Sequence, residues 1–238
     1  MAQVINTNVG ALFAGAALNK SANALQTAQA RLSSGLRINS SKDDATGLGI
    51  ATGFDSQIRG ANMNIRNAND GISAAQTNDG YLAQVTENTQ RLREIYVQTG
   101  AVTNEEAAAL IGENTRISGL VTANTAVVVD SAGGTAGGTG TTFTSAVAYS
   151  ALADFDTELG AITTARATHG ADMATLSSAV ASLQTASVNL SAAFSRVMDT
   201  DYAAETAAMA RNNILQQAGT AILAQANQTP QSVLGLLR

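Results

Sequence analysis

The sequence predicts a mainly α fold: long antiparallel helices forming a coiled-coil rod, a small β-hairpin region, and the termini paired at one end. Three observations carry this expectation. Apolar residues recur every seven positions, as at Leu18, Leu25 and Leu32, or at Leu176, Leu183, Leu190 and Val197. The chain has 238 residues with one proline, no tryptophan and 4% aromatics, which suits helices packed side by side better than one thick core. Residues 1–19 and 212–237 hold no charged side chain, yet both show helical spacing. Such ends would expose apolar faces on a lone chain, and a contiguous exposed apolar face marks a contact with another chain.

The elements follow in order. Residues 2–36 read as one helix of ~50 Å, with Ala14, Ala22 and Ala28 sharing the face of Leu18, Leu25 and Leu32. Residues 33–56, rich in Gly, Ser, Asn and Asp, read as an ordered loop with short turns. A second helix is expected over about 57–99. Its seam alternates Ile58, Ile65 and Ile72 with Ala61, Ala68, Ala75 and Leu82, then continues through Val85, Leu92 and Tyr96. A third helix starts at Thr103-Asn-Glu-Glu106, where Thr103 and Glu106 suit a capping box, and ends near Ser118-Gly119. Residues 120–148 change to Val, Thr and Gly. They predict strands at about 126–130 and 141–148 around a Gly-rich turn, with a linker as the alternative. The longest helix spans about 150–200. Met173, Val180, Ser187 and Phe194 form its second seam row. A kink near Asp199-Thr-Asp201 leads into a terminal helix at 202–228, and Pro230 can open a last short turn. The domain division is 1–40 with 200–238 for the terminal helices, 41–119 with 150–199 for the helical rod, and 120–149 for the hairpin.

The chemistry of the chain is sparse. A net charge of −5 with thirteen Lys and Arg leaves no basic stripe for nucleic acid. Cysteine is absent, which excludes disulfides and thiolate metal sites. No stretch reaches the ~20 apolar residues of a membrane span, and no basic segment precedes Lys20 as in a Sec-type signal. The segment 133–140 lacks the Gly-Lys-Ser/Thr end of a P-loop, so no phosphate cradle is expected. His169, the single histidine, is expected at the surface or a helix end. Asp43 and Asp44 read as turn and N-cap residues beside Lys42. Asp199 and Asp201 read as a helix boundary or as partners of Arg31 or Arg37. No Ser or Thr has the surroundings of a nucleophile, so no catalytic residue, cofactor or metal is expected. The densest charged run, Gln90-Arg91-Leu92-Arg93-Glu94, reads as a solvated face with Glu87 and Arg91 paired at i,i+4.

The ends carry a specific resemblance. Ile214-Leu-Gln-Gln-Ala-Gly-Thr-Ala-Ile-Leu-Ala-Gln-Ala-Asn-Gln228, Leu236-Leu-Arg238 and Asp199-Thr-Asp201-Tyr-Ala-Ala-Glu205 resemble the C-terminus of bacterial flagellin. Ile5-Asn-Thr-Asn8, Arg31-Leu-Ser-Ser-Gly-Leu-Arg-Ile-Asn-Ser40, Lys42-Asp-Asp-Ala-Thr-Gly47 and Arg66-Asn-Ala-Asn-Asp-Gly-Ile-Ser73 resemble its N-terminus. The resemblance covers roughly 1–100 and 175–238 and points to a short form without large outer domains. It implies a structural subunit that polymerises into the flagellar filament used for swimming, secreted unfolded through the flagellar type III system. Implied partners are further copies of itself, an export chaperone, and cap and junction proteins. A hook–filament junction protein, or a secreted coiled-coil ligand that does not polymerise, is the alternative. The resemblance places the assembly core at Leu18, Leu25, Leu32, Ile214, Leu215, Ile222, Leu223, Leu234 and Leu237. It also implies a patch facing the flagellin-sensing Toll-like receptor of animals, at Arg91, Ile95, Gln98 and Glu106. The chain departs from the family at 122–126 and 168–175, near that patch.

Overall fold

A computed structural model describes residues 7–123, 126–129, 134–145 and 149–235, with side chains through Gln228. The order is α1 (Val9–Ser34), α2 (Ala45–Thr99), α3 (Glu105–Ser118), β1 (Val127–Val128), β2 (Thr135–Ala136), α4 (Leu152–Met198) and α5 (Tyr202–Gly235). Two compact units result, residues 1–54 with 192–238 and residues 55–191.

In the first unit α1 lies antiparallel against α5. As the chain climbs from Asn8 to Leu32 along α1, its partners fall from Ala226 to Tyr202 along α5. The Asn8 amide donates to the Ala226 carbonyl at 2.8 Å, Arg31 meets Glu205 at 3.6 Å, and the Tyr202 hydroxyl donates to the Leu32 carbonyl at 3.1 Å. Asn8 also caps α1, accepting from the Ala11 N–H at 3.0 Å, so the helix begins at Val9. Residues 2–6 of the expected helix lie outside the described residues. Gly35, at φ 73°, closes α1 with its N–H on the Arg31 carbonyl at 2.8 Å.

The loop after α1 is shorter than the sequence predicts. It spans residues 35–44, and α2 starts at Ala45 rather than near 57. Asp44 caps that start, accepting from the Gly47 N–H at 2.8 Å. Gly47, Gly49 and Gly53, which read as breakers, sit inside the helix. Gly47 has a packing reason: a Cβ there would lie 2.4 Å from the Asp44 carboxylate and 2.8 Å from Ile38 Cδ1. Asp43 takes the expected turn role. The backbone N–H groups of Asn39 and Ser40, with the Ser40 hydroxyl, hold its carboxyl below the usual range. The other break is complete rather than a kink. α4 stops at Met198, and Asp201 caps α5 through the Ala203 and Ala204 N–H groups at 2.9 and 3.1 Å. The two breaks join through a Leu36–Asp199 bridge, with the Arg37 N–H on the Met198 carbonyl at 2.6 Å. Arg37 spends its side chain on the Val197 carbonyl and Arg31 meets Glu205, so the boundary role of Asp199 and Asp201 prevails over pairing with these arginines. Ile38, Ala51 and Met198 form the core here. α5 runs on through Pro230 to Gly235, so no separate turn opens there.

The second unit packs α2, α3 and α4 in the expected seams. Ala61, Ala68, Ala75, Leu82, Val85 and Leu92 are buried on α2, and Leu176 and Leu183 on α4. One core joins Leu82, Val85, Ile117, Phe143 and Ile162; a second joins Leu92, Ile95, Ala107, Tyr149 and Phe155. His169 corrects the surface expectation: it is fully buried in mid-helix. It lies seven residues before Leu176 and seven after Ile162, on the seam row itself. α3 is capped by Asn104, which accepts from the Ala107 N–H at 3.2 Å, one residue later than the expected Thr103. Buried amides link α3 to α2, with Asn88 donating to Asn114 at 2.8 Å and Asn114 to Thr89 at 3.2 Å.

The hairpin is smaller than expected. β1 pairs antiparallel with β2 in the register Val127–Ala136 and Val128–Thr135. The second strand therefore lies at 135–136, not 141–148; the expected strand residues 130 and 146–148 and turn residues 131–133 lie outside the described residues. Two features stop the ladder. Gly137 and Gly138 turn the chain at φ 72° and 81°, and buried Asp172 on α4 then accepts the Thr139 and Gly140 N–H groups at 3.1 and 2.8 Å. Further along, buried Glu158 accepts the hydroxyls of Ser145 and Tyr149. Burial first, and Glu158 second, push the Tyr149 phenol up to about 12.

These contacts decide where an insertion fits. Thr135, Thr139, Thr141, Thr142 and Thr144 are exposed, but a Cβ at Gly137 would press on Leu176 at 3.2 Å. A short epitope tag between Thr141 and Thr142 is expected to leave the thermal melt unchanged, whereas the same tag after Gly137 lowers it by several degrees. Equal melts for the two would show that the Gly137 packing does not matter.

Candidate functional site

The charge-free ends meet in the α1–α5 pair. Along α1 the inward row is Ala11, Ala14, Leu18, Ala22, Leu25, Ala28 and Leu32, spaced three or four apart. Along α5 it is Glu205, Ala208, Asn212, Gln216, Gly219, Leu223 and Ala226. Gly219 is small because Leu18 seats on it: a Cβ there would lie 3.2 Å from Leu18 Cδ1. Leu18, Leu25, Leu32 and Leu223 are therefore half-buried within the chain rather than on its outside.

A second apolar face points outward. Ile214, Leu215 and Ile222 are 65%, 47% and 56% exposed on α5. Three residues that sequence reasoning missed join them on the exposed side of α1: Val9, Leu12 and Phe13, the last 79% exposed. Their signal was present: Leu12 and Phe13 fall between the inward Ala11 and Ala14, Val9 lies just before them, and all three are large and apolar where a solvated helix would be polar. Leu234 and Leu237 lie outside the described side chains.

The second candidate region is on the other unit. Arg91 donates to Glu106 on α3 at 2.8 Å and to Glu94 at 3.0 Å, instead of pairing with Glu87. These bonds, Glu106 first, hold its guanidinium more firmly protonated. Arg91, Gln98 and Glu106 are exposed, whereas Ile95 is buried against Leu92, Ala107 and Phe155. Beside them Gln90, Arg93, Glu94, Val97, Gln98 and Leu159 line an open groove of about 480 Å³.

Among the described residues, no group of three His, Cys, Asp or Glu could hold a metal, and no helix is long and apolar enough to cross a membrane.

Comparison with known proteins identifies relatives along the whole chain. The family model for the bacterial flagellin N-terminal helical region matches residues 5–128, and that for the C-terminal helical region matches 152–237. A flagellin of Halalkalibacterium halodurans is 37% identical over 271 aligned positions, covering 99% of this chain and 100% of the relative. A flagellin of Bordetella bronchiseptica is 31% identical over 396 positions, covering both chains fully at 100%. A flagellin of Salmonella typhimurium is 55% identical over 107 residues, 45% of this chain and 22% of its own length.

Proposed function

Since the chain belongs to the bacterial flagellin family, we propose that the outward face of its α1–α5 pair is the surface by which copies add to the filament. The chain is a structural subunit of the bacterial flagellar filament, an extracellular homopolymer that serves motility, and it is not an enzyme. The observation that supports the assembly surface is the exposure of Val9, Leu12, Phe13, Ile214, Leu215 and Ile222 on helices that carry almost no charge. Leu18, Leu25, Leu32 and Leu223 serve this surface indirectly, by holding the two helices together. In this reading residues 1–40 with 200–238 form the filament's inner core, 41–119 with 150–199 the surrounding layer, and 120–149 the outer surface. The same apolar face, uncovered before assembly, suits an export chaperone, and at the filament's two ends it suits cap and junction proteins.

Seeded growth tests the assembly surface. Purified chain added to sheared filaments is expected to extend them, seen by negative-stain microscopy. Ile222→Asp, which puts a charge on the exposed face without disturbing the intrachain seam, is expected to stop extension. Normal extension by that variant would remove α5 from the assembly surface.

A second reading concerns the receptor of animals, and the exposure of Arg91, Gln98 and Glu106 on one unit favours it. Arg91→Ala severs two exposed ion pairs and is expected to leave the melt almost unchanged. It is expected to cut receptor activation by monomer at least several-fold, since an arginine closed into an interface costs ~2 kcal/mol or more when truncated. Equal activation by the variant would remove Arg91 from the patch. Ile95, being buried, would act there by supporting the helix rather than by touching the receptor.

A further inference from the structure

The first unit contains a polar notch of about 260 Å³ between the last turns of α1 and the turn at 39–43. Its walls include Gln26, Thr27, Ala30, Arg31, Asn39 and Asp43. Most of the polar groups there are already spent. The Thr27 hydroxyl donates to the Asn23 carbonyl at 3.0 Å, and the Asn39 amide donates to the Ala30 carbonyl and the Ser34 hydroxyl at 3.1 and 2.9 Å. Two groups are not. Arg31, with a side chain 31% exposed, has one ion-pair contact, the loose 3.6 Å approach to Glu205; its charge also acts on Asp43 across the notch, and its Nε–H is shielded from solvent without an acceptor. A shielded donor left unmade destabilises the free chain, and a small turn of the guanidinium toward an acceptor in the notch would relieve it. Asp43 takes its three donors, Asn39 N, Ser40 N and Ser40 Oγ, all on Oδ2. Its Oδ1 is open to a further donor.

An under-used guanidinium beside an open carboxylate oxygen is the complement of a primary amide, whose carbonyl accepts and whose NH₂ donates. A carboxylate would meet Asp43 and an ammonium would meet Arg31, so charged side chains fit worse. We propose that this notch receives an asparagine or glutamine side chain from α5 of a second copy, fixing the register between subunits. The exposed side of α5 offers Gln217, Asn227 and Gln228, and the chain from Asn212 to Leu237 carries no charge that the notch would reject. The inference rests on the filament reading above. It goes beyond that reading by assigning a polar socket where the apolar faces alone would permit sliding.

The test compares seeded elongation with the melt of the monomer. Ala30→Gln fills the notch with the chain's own amide, and Arg31→Gln removes the cation. Each is expected to raise the critical concentration at least about ten-fold, the scale of one lost charge-assisted hydrogen bond, without lowering the monomer melt. Glu205→Gln breaks the same intrachain contact but leaves the notch intact, and is expected to stay within about two-fold. Elongation by Ala30→Gln equal to the parent overturns the socket while the filament reading stands. Equal weakening by Arg31→Gln and Glu205→Gln also overturns it, since Arg31 would then act through its own chain. A parent chain that fails to extend seeds overturns the filament reading and the socket together.

Discussion

Removing residues 215–238 is expected to abolish filament growth while leaving the second unit folded. The truncation takes away Leu215 and Ile222, which are exposed on the outer face, and Leu223, which seals α5 onto α1. Two exposed side chains of this size, closed into a contact between copies, contribute about 2 kcal/mol each. Their loss alone would raise the critical concentration roughly a thousand-fold. The damage goes further, because α1 loses its cover from Asn8, whose amide bonds Ala226, through Leu18, which sits on Gly219. The cores around Leu82, Ile162 and Phe155 lie wholly within residues 55–191 and lose nothing. Circular dichroism of the truncate should therefore keep a cooperative helical melt while electron microscopy shows no filaments. Normal filaments from the truncate would refute the role given to α5.

The seven-residue spacing made most of this fold legible. Ile58, Ile65 and Ile72 alternate with Ala61, Ala68 and Ala75, and the structure puts the alanines fully inside and the isoleucines partly so. His169 was hidden by its chemistry. Its place on the Ile162–Leu176 row says core, but an imidazole is expected at a surface unless burial supplies it with partners. Asp172 and Glu158 were hidden in the same way. They occupy seam positions because residues 139, 140, 145 and 149, not another helix, lie against α4 and offer N–H and hydroxyl donors. The start of α2 was missed because Gly47, Gly49 and Gly53 lower helix propensity, and tertiary packing at Ile38 and Ala51 outweighs that local cost. For the outer patch, spacing alone was informative. Ile95 follows Leu92 by three and Val85 by ten, a seam position, whereas the resemblance set it beside the exposed Arg91 and Gln98. The distinction between the inward and outward leucines of the ends was not legible. It depends on which face of α5 meets α1, and that is fixed by Gly219 accepting Leu18.

Phe155→Ala is expected to be the most destabilising single substitution in the second unit. The ring is fully buried. It stacks on Tyr149 with centroids 4.4 Å apart and planes 5° apart, and meets Tyr96 at 5.5 Å and 57°. Leu92, Ile95 and Ala107 complete its surroundings, so α2, α3 and the Tyr149 ring close on one side chain of α4. Removing it leaves a void that packed helices cannot collapse around, at a cost of about 3–5 kcal/mol. For a chain of this size that corresponds to a fall in Tm of roughly 10 °C. The consequences should be selective. Tyr149 loses the ring that buries it, so its phenol should titrate closer to the ordinary value of 10 than to about 12. α3 loses its anchor at Ala107, so Glu106 should leave Arg91 and the receptor-facing patch should loosen with it. The outward face of α1 and α5 belongs to the other unit and is not touched, so seeded growth well below the new Tm should proceed. A melt within two degrees of the parent would contradict the aromatic cluster as the support of α3. Loss of filament growth at low temperature would contradict the independence of the assembly surface from this core.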